Sequence, residues 1–145
     1  FGVDNLERCF HGVPDRVTRT MHMCCGYPDK LDETDYVKAR PEVYQGLAEA
    51  VDASLIDAVS IEDAHQHNDL SLLEKFANTT VIFGAVEVAS SRIEEVDEIA
   101  DRLRKALDHI DAERLIAAPD CGLIMLGGEL ARAKLAKLVE AARLV

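Results

Sequence analysis

The chain has 145 residues, about the length of one domain, of which 48% are hydrophobic and 30% are charged. This balance is typical of a globular protein and excludes a disordered one. The formal net charge of −11 argues against binding to a nucleic-acid backbone, which requires concentrated Lys and Arg.

Cellular location follows from the apolar runs and the cysteines. No apolar run approaches the ~20 residues that cross a bilayer, and no signal peptide opens the chain. Four cysteines without such a signal favour a reducing compartment, so we expect the cytoplasm.

Along the chain, short apolar segments alternate with segments of helical spacing. The first residues have the pattern of an amphipathic helix without an initiator Met, as if the chain began in the middle of a fold. Four predicted strands, each expected to be buried on both faces, cover 16–25, 56–64, 79–88 and 113–122. Between and after them, helical spacing covers 40–54, 69–78, 92–110 and 127–145.

Two local features of these helices can be predicted. In the helix of 40–54, Val43, Leu47, Ala50 and Val51 share one apolar face and should point at the core. Asp69 is suited to cap the short helix that follows it.

Strand–helix alternation predicts right-handed crossovers and a parallel sheet, that is, an α/β fold. Four such units form either a small open sheet or half of an eight-stranded barrel, which needs about 250 residues when complete. The start within a helix favours the half-barrel. No glycine-rich phosphate loop follows any strand, so nucleotide binding is unsupported. The irregular segment 26–40 is long enough to be functional or mobile.

The first strand ends in "MHMCC", which places a His and two Cys together. Side chains alternate between the two faces of a strand, so His22 and Cys24 point the same way and Cys25 points into the packing. The pair lies at the carboxyl end of its strand, where parallel α/β folds carry their active sites.

Other strands end in ligand-type residues as well. Glu62 follows the second strand and Cys121 the fourth. If these ends meet, His22, Cys24, Glu62 and Cys121 make a set suited to tetrahedral zinc. A buried Cys is often only a core residue, so spacing alone leaves the zinc site and ordinary packing both open.

The remaining candidates have less specific signals. Cys9 lies on an apolar helix face and should be structural; His65 and His67 are expected to be solvated loop residues, with support of a metal ligand as the alternative. His11 and His109 should be surface residues. Glu87 either contacts a substrate or is a partly buried acid paired with Arg92.

Four stretches occur in a familiar order, namely "MHMCCGY", "AVSIEDA", "FGAVEVASSRIEEVDEI" and "ERLIAAPDCGL". With these four stretches in this order, the chain resembles the catalytic domain of cobalamin-independent methionine synthase over nearly its whole length. The resemblance implies a (β/α)8 TIM barrel, of which residues 1–145 would be the carboxyl-terminal half, with four βα units. It also implies that His22, Cys24, Glu62 and Cys121 bind Zn²⁺.

The implied reaction is zinc activation of a thiol. In the family, homocysteine accepts a methyl group from 5-methyltetrahydropteroylglutamate in methionine biosynthesis; here Glu87 and Ser90 would be candidate substrate contacts. Two features depart from the family. The His-Ser-Pro-Arg whose His protonates the departing folate nitrogen is replaced by Ala89-Ser90-Ser91-Arg92, and the loop after Cys24 is longer. In both features the chain resembles the short synthase-related proteins.

The sequence is therefore compatible with three hypotheses. The first is a zinc-dependent S-methyltransferase. The second is a zinc-thiolate alkyltransferase with another thiol or donor, like the coenzyme M transferases. The third is a non-catalytic half-barrel that binds zinc for stability and dimerises. A half-barrel exposes its sheet edges and interior, so we expect a homo-oligomer or a missing amino-terminal half to cover them.

Overall fold

The computed structural model describes residues 2–40 and 42–145, in which helices alternate with parallel strands. The helices are α1 (Gly2–Cys9), α2 (Glu42–Asp52), α3 (Val96–Leu107) and α4 (Gly128–Ala142). The strands are β1 (Thr20–Met23), β2 (Ala58–Ile61), β3 (Thr80–Val86) and β4 (Leu115–Pro119). Short 3₁₀ turns cover Leu70–Lys75, Ala112–Arg114 and Leu123–Met125. Every strand lies inside its predicted segment but is shorter.

The four strands form one sheet in the order β1-β2-β3-β4, with every neighbouring pair parallel. The predicted α/β class and parallel sheet are confirmed. Within residues 2–40 and 42–145 the sheet stays open, so these four strands do not close a barrel. In the same residues, none of the helices combines the length and the apolar character needed to span a bilayer.

The two faces of the sheet differ in burial. Val59, Ile61, Val81 and Phe83 point towards the helices and are buried in the core. The opposite face carries a row of side chains that are paired across the four strands, namely His22, Ser60, Ile82 and Ile116. His22 is exposed and Ile116 is 49% exposed, so the prediction that the strands are buried on both faces is wrong for β1 and β4. The reason is that the core helices pack on one face only.

Helix α2 buries Val51 as predicted, whereas the prediction is wrong for Val43, Leu47 and Ala50, which are exposed. Tyr44, Ala48 and Val51 are buried, whereas Val43 is 46% and Leu47 38% exposed. The helix is rotated because the Tyr44 hydroxyl donates hydrogen bonds inside the fold, which apolar periodicity cannot predict. The Asp69 cap is confirmed, since its side chain accepts from the backbone N of Ser71 at 3.0 Å.

The predicted role of Cys9 is wrong. Its side chain is exposed at the end of α1, and its Sγ donates to the carbonyl of Asn5. The apolar contacts of this part of the chain come instead from Val3, Leu6 and Phe10, which pack against the core while remaining partly buried.

A buried ion pair links α4 to the segment before α3. Lys134 Nζ lies 3.0 Å from Glu94 Oε2, and both side chains are almost fully buried. The other carboxylate oxygen of Glu94 accepts from the backbone N of Glu87 at 2.9 Å, so the pair also holds the chain just after β3.

We expect Lys134→Met to lower the free energy of unfolding by about 3 kcal/mol, because removing one partner leaves a buried carboxylate uncompensated. Urea unfolding followed by circular dichroism measures the loss. The matched control is Lys137→Met on the same helix, whose pair with Glu95 spans 3.5 Å at the surface and should change stability by less than about 0.5 kcal/mol. Equal losses in the two variants would contradict the structural role given to Lys134.

Candidate metal centre

Three ligand-type side chains meet at the carboxyl ends of the strands. The ligand atoms of His22, Cys24 and Cys121 all lie within 4.8 Å of one another. His22 belongs to β1, Cys24 follows it, and Cys121 follows β4, so the group joins the two edges of the sheet. In a flat sheet those edge strands would be about 14 Å apart, three strand spacings. The sheet is therefore curved, and its edges converge on the face that carries these side chains.

The group fits zinc in both chemistry and spacing. Bond lengths of 2.0–2.3 Å at a tetrahedral ion place its ligand atoms roughly 3.3–3.8 Å apart, so three atoms within 4.8 Å need only small adjustments. Zinc prefers imidazole and thiolate donors, whereas magnesium and calcium prefer oxygen donors. Cys25, the next residue, is buried in the core, as strand alternation predicted.

Ser60 positions the histidine of this group. Its Oγ lies 3.0 Å from His22 Nδ1, and the two residues are register partners on adjacent strands. The contact leaves Nε2 of His22 for a metal, the usual arrangement for a ligating imidazole. Sequence reasoning missed Ser60, although its position two residues before Glu62 on the same strand face was a usable signal.

The pKa values of His22 and Cys121 shift in opposite directions. Burial lowers the pKa of His22, which keeps the imidazole neutral, and burial raises the pKa of the Cys121 thiol. The backbone N–H of Gly122 and the neighbouring Cys24 act on Cys121 in opposite directions. A neutral imidazole binds metal directly, whereas the thiols must lose protons on binding.

Glu62, the fourth predicted ligand, is not among the three side chains that meet within 4.8 Å. It is fully buried, and its Oε1 accepts from the backbone N of Cys25 at 2.5 Å and from the Tyr44 hydroxyl at 3.2 Å. Its Oε2 lies 3.3 Å from Lys38 Nζ. Its assignment as a zinc ligand stays a prediction.

Asp120, the residue before Cys121, fixes the loop after β2. Its carboxylate accepts from the backbone N of Asp63 and Ala64 at 2.9 Å and of His65 at 2.8 Å. Burial raises the pKa of Asp120 to about 7, although the three N–H groups favour its anion. This contact ties the Cys121 segment to the end of β2.

Residues 26–40, here called the β1 loop, cross the carboxyl edge of the sheet. The loop returns to its own strand where Ala39 N donates to Cys25 O at 2.9 Å. At its far point Asp32 N donates to Ala89 O at 2.8 Å, and Asp32 Oδ1 accepts from Ser91 N at 2.7 Å. Ala89 is buried. The loop that is longer than in the family therefore contacts Ala89, the position where the family has its histidine.

The β1 loop also brings polar side chains to the site. The Tyr36 hydroxyl is hydrogen-bonded to His65 Nε2, and Lys38 lies 5.7 Å from the centre of the Tyr27 ring. His65 is half-buried, so the prediction that it is a solvated loop residue is wrong; His67 is exposed, as predicted. Sequence reasoning missed Tyr36 and Lys38 because an irregular loop has no periodicity; the length of the loop was the available signal.

The two predicted substrate contacts lie after β3. Glu87 and Ser90 are both half-buried, and Ser90 Oγ accepts from Arg92 N at 3.2 Å. The alternative pairing of Glu87 with Arg92 is wrong, because both guanidinium bonds of Arg92 go to Glu98 at 2.8 Å. A contact with substrate remains a prediction for Glu87 and Ser90.

Known proteins are similar to this chain in sequence. Residues 32–144 match the family described as the cobalamin-independent synthase catalytic domain. A methionine synthase of Pyrococcus abyssi is 37% identical over 103 residues, which are 70% of this chain and 30% of that protein. A 2-hydroxypropyl-CoM lyase of Xanthobacter autotrophicus is 32% identical over 149 residues, covering 86% of this chain and 39% of that protein.

A solved structure agrees with the sequence comparisons. The B12-independent methionine synthase of a Shewanella strain, in complex with selenomethionine, superposes with a TM-score of 0.81 and 30% identity over 99% of this chain and 42% of that one. The chain spans less than half the length of each of these three proteins. By sequence and by fold, it belongs to the catalytic-domain family of the cobalamin-independent methionine synthases.

Proposed function

We propose that this chain is the zinc- and thiol-binding part of an S-methyltransferase of the methionine synthase type. The observation that carries the proposal is the convergence of His22, Cys24 and Cys121 within 4.8 Å. Zinc held there would lower the pKa of a thiol that binds to it, so that the thiol becomes a nucleophile near neutral pH.

The residues of the chain have distinct tasks in this proposal. His22, Cys24 and Cys121 hold the zinc, and Ser60 fixes the orientation of the His22 ring. Glu62 is the fourth ligand, held by Cys25 N, Tyr44 and Lys38. A carboxylate is the most exchangeable member of the set, and a catalytic zinc site needs one position for an incoming ligand.

The proposed substrates are homocysteine and 5-methyltetrahydropteroylglutamate, with Glu87 and Ser90 as substrate contacts. We assign residues 1–145 to the carboxyl-terminal part of the catalytic domain. The less buried sheet face, which carries His22 and Ile116, would then be covered by an amino-terminal half or by a second copy of the chain.

A second candidate keeps the zinc and the thiol but changes the donor or the acceptor. It is favoured by the position of Ala89, which lies buried under the β1 loop where a proton-donating side chain was expected. The similarity to a protein named 2-hydroxypropyl-CoM lyase supports it as well. The thiol would then be coenzyme M or a related small thiol.

The test begins with the metal and continues with the thiol. Purified protein should contain about one zinc per chain by elemental analysis. X-ray absorption at the zinc edge, recorded with and without homocysteine or coenzyme M, should reveal one additional sulfur ligand with the true acceptor. An unchanged spectrum with every thiol would identify a structural zinc, and absence of zinc would overturn the proposal.

Assays of methyl transfer then separate the two candidates. Formation of methionine from homocysteine and the methyl-folate supports the first candidate. Turnover of a 2-hydroxyalkyl thioether of coenzyme M, without methyl-folate activity, supports the second. The two reactions use the same metal site, so zinc content serves as the common control.

A further inference from the structure

The proposed reaction requires a proton at the leaving atom. When sulfur attacks the transferred carbon, the bond from that carbon to nitrogen or oxygen breaks and the electron pair stays on the heteroatom. A nitrogen or oxygen anion is a poor leaving group, so a positioned acid accelerates the step, typically by 10²–10⁴-fold. The inference below rests on the proposed function and concerns the source of this proton.

Several side chains at the carboxyl edge are unsuited to this task. Ala89 has no proton to give. Lys38 is paired with Glu62, and the Asp120 carboxylate is occupied by three backbone N–H groups. The Tyr27 hydroxyl is sealed from solvent and has no hydrogen-bond partner among the described residues, so a substrate cannot reach it without rearrangement.

Tyr36 meets the requirements. Its side chain is half-buried in the β1 loop, and its hydroxyl is hydrogen-bonded to His65 Nε2. The Tyr36 and His65 rings lie 5.9 Å apart, and His65 is itself fixed because its backbone N donates to Asp120 at 2.8 Å. Burial raises the pKa of Tyr36, and Glu62 and Glu87 act in the same direction, so the hydroxyl keeps its proton at neutral pH.

His65 is half-buried beside this hydroxyl and is suited to orient it. Its Nδ1 is sealed from solvent and has no hydrogen-bond partner among the described residues, so Nε2 is the ring nitrogen that forms the hydrogen bond. Burial, followed by the charge of Lys38, lowers the pKa of His65 and favours the neutral ring. A neutral imidazole that carries its proton on Nε2 donates to the Tyr36 oxygen, which fixes the hydroxyl and leaves the Tyr36 proton free for the leaving atom.

We infer that Tyr36 is a catalytic proton donor and that His65 is the residue that positions it. In the step, the sulfur–carbon bond forms, the bond from carbon to the leaving nitrogen or oxygen breaks, and that atom takes the Tyr36 proton. The thiol releases its own proton to solvent on binding, and Tyr36 regains a proton from solvent afterwards. The net exchange is one S–H bond for one N–H or O–H bond.

The test compares two classes of donor in the full protein. Tyr36→Phe should lower kcat by about 10²-fold or more with the donor used by the wild type, either methyl-folate or an epoxide that the thiol opens to a 2-hydroxyalkyl thioether. The same variant should change zinc-dependent methylation of the bound thiol by methyl iodide less than about threefold, because iodide leaves without a proton. Zinc content of wild type and variant verifies that the metal site is intact.

Two further variants complete the test. Tyr27→Phe removes a hydroxyl from the same loop and should show no such selectivity between donors. His65→Gln should reduce turnover with the natural donor, and the double variant with Tyr36→Phe should be no slower than the slower single variant, since the residues act as a unit.

Results that contradict the role of Tyr36 differ from results that contradict the proposed function. Equal losses with both donor classes, or full activity of Tyr36→Phe, would overturn the role of Tyr36. If the wild-type protein does not accelerate thiol methylation by methyl iodide at all, the proposed function fails, and the inference fails with it.

Discussion

Cys121→Ser should weaken zinc binding by more than about 100-fold. Structural zinc in small sites contributes ~10–16 kcal/mol in total, so one thiolate ligand accounts for on the order of 3 kcal/mol, which is more than 100-fold in affinity. The loss should be large because Cys121 is the proposed ligand that connects the end of β4 with the end of β1. Competition with a chromophoric chelator measures the affinity directly.

The matched control for this loss is Cys9→Ser. Cys9 is an exposed thiol on α1, whereas Cys24 and Cys121 lie within 4.8 Å of each other and of His22. Cys9→Ser should bind zinc like the wild type, and Cys24→Ser should resemble Cys121→Ser. Wild-type zinc affinity in both Cys24→Ser and Cys121→Ser would show that the metal binds elsewhere.

Much of this site could be predicted from the sequence because strand geometry is local. Alternation assigned His22 and Cys24 to one face and Cys25 to the other, and the structure confirms the burial of Cys25 and the proximity of His22 to Cys24. The meeting of strand ends also follows from a simple rule, since parallel strands end at the same edge of a sheet. Cys121 reaches the group by that rule.

What could not be predicted depends on contacts between residues far apart in sequence. Tyr36 meets His65 across 29 positions, and Lys38 meets Glu62 across 24, both through a loop without periodicity. The α2 face was misassigned for a related reason. Its orientation is set by the hydroxyl of Tyr44, which donates to Met23 O and Glu62, and not by apolar spacing.

Gly84→Ala should be the most destabilising single substitution of those considered, with a loss of about 4 kcal/mol or more in the free energy of unfolding. A Cβ at this position would lie 2.6 Å from Asp120 Cα and 2.8 Å from the carbonyl oxygen of Ile61, and it would also overlap the Asp120 carboxylate. Two of these contacts are with backbone, one at the end of β2 and one directly after β4, which cannot move aside cheaply. Thermal and urea unfolding measure the effect.

Substitution of Gly84 should therefore affect both the stability of the fold and the metal site. Relief of the overlap requires Asp120 to move, and Asp120 holds the backbone after β2 through three N–H groups and precedes Cys121. Gly84→Ala should weaken zinc binding although residue 84 carries no ligand. Gly46→Ala on α2 is the control, because no atom lies within 4 Å of its Cβ and alanine is the better helix former by about 1 kcal/mol. Wild-type stability in Gly84→Ala would contradict the close approach of β3 to Asp120, and normal zinc affinity in a destabilised variant would separate the metal site from that contact.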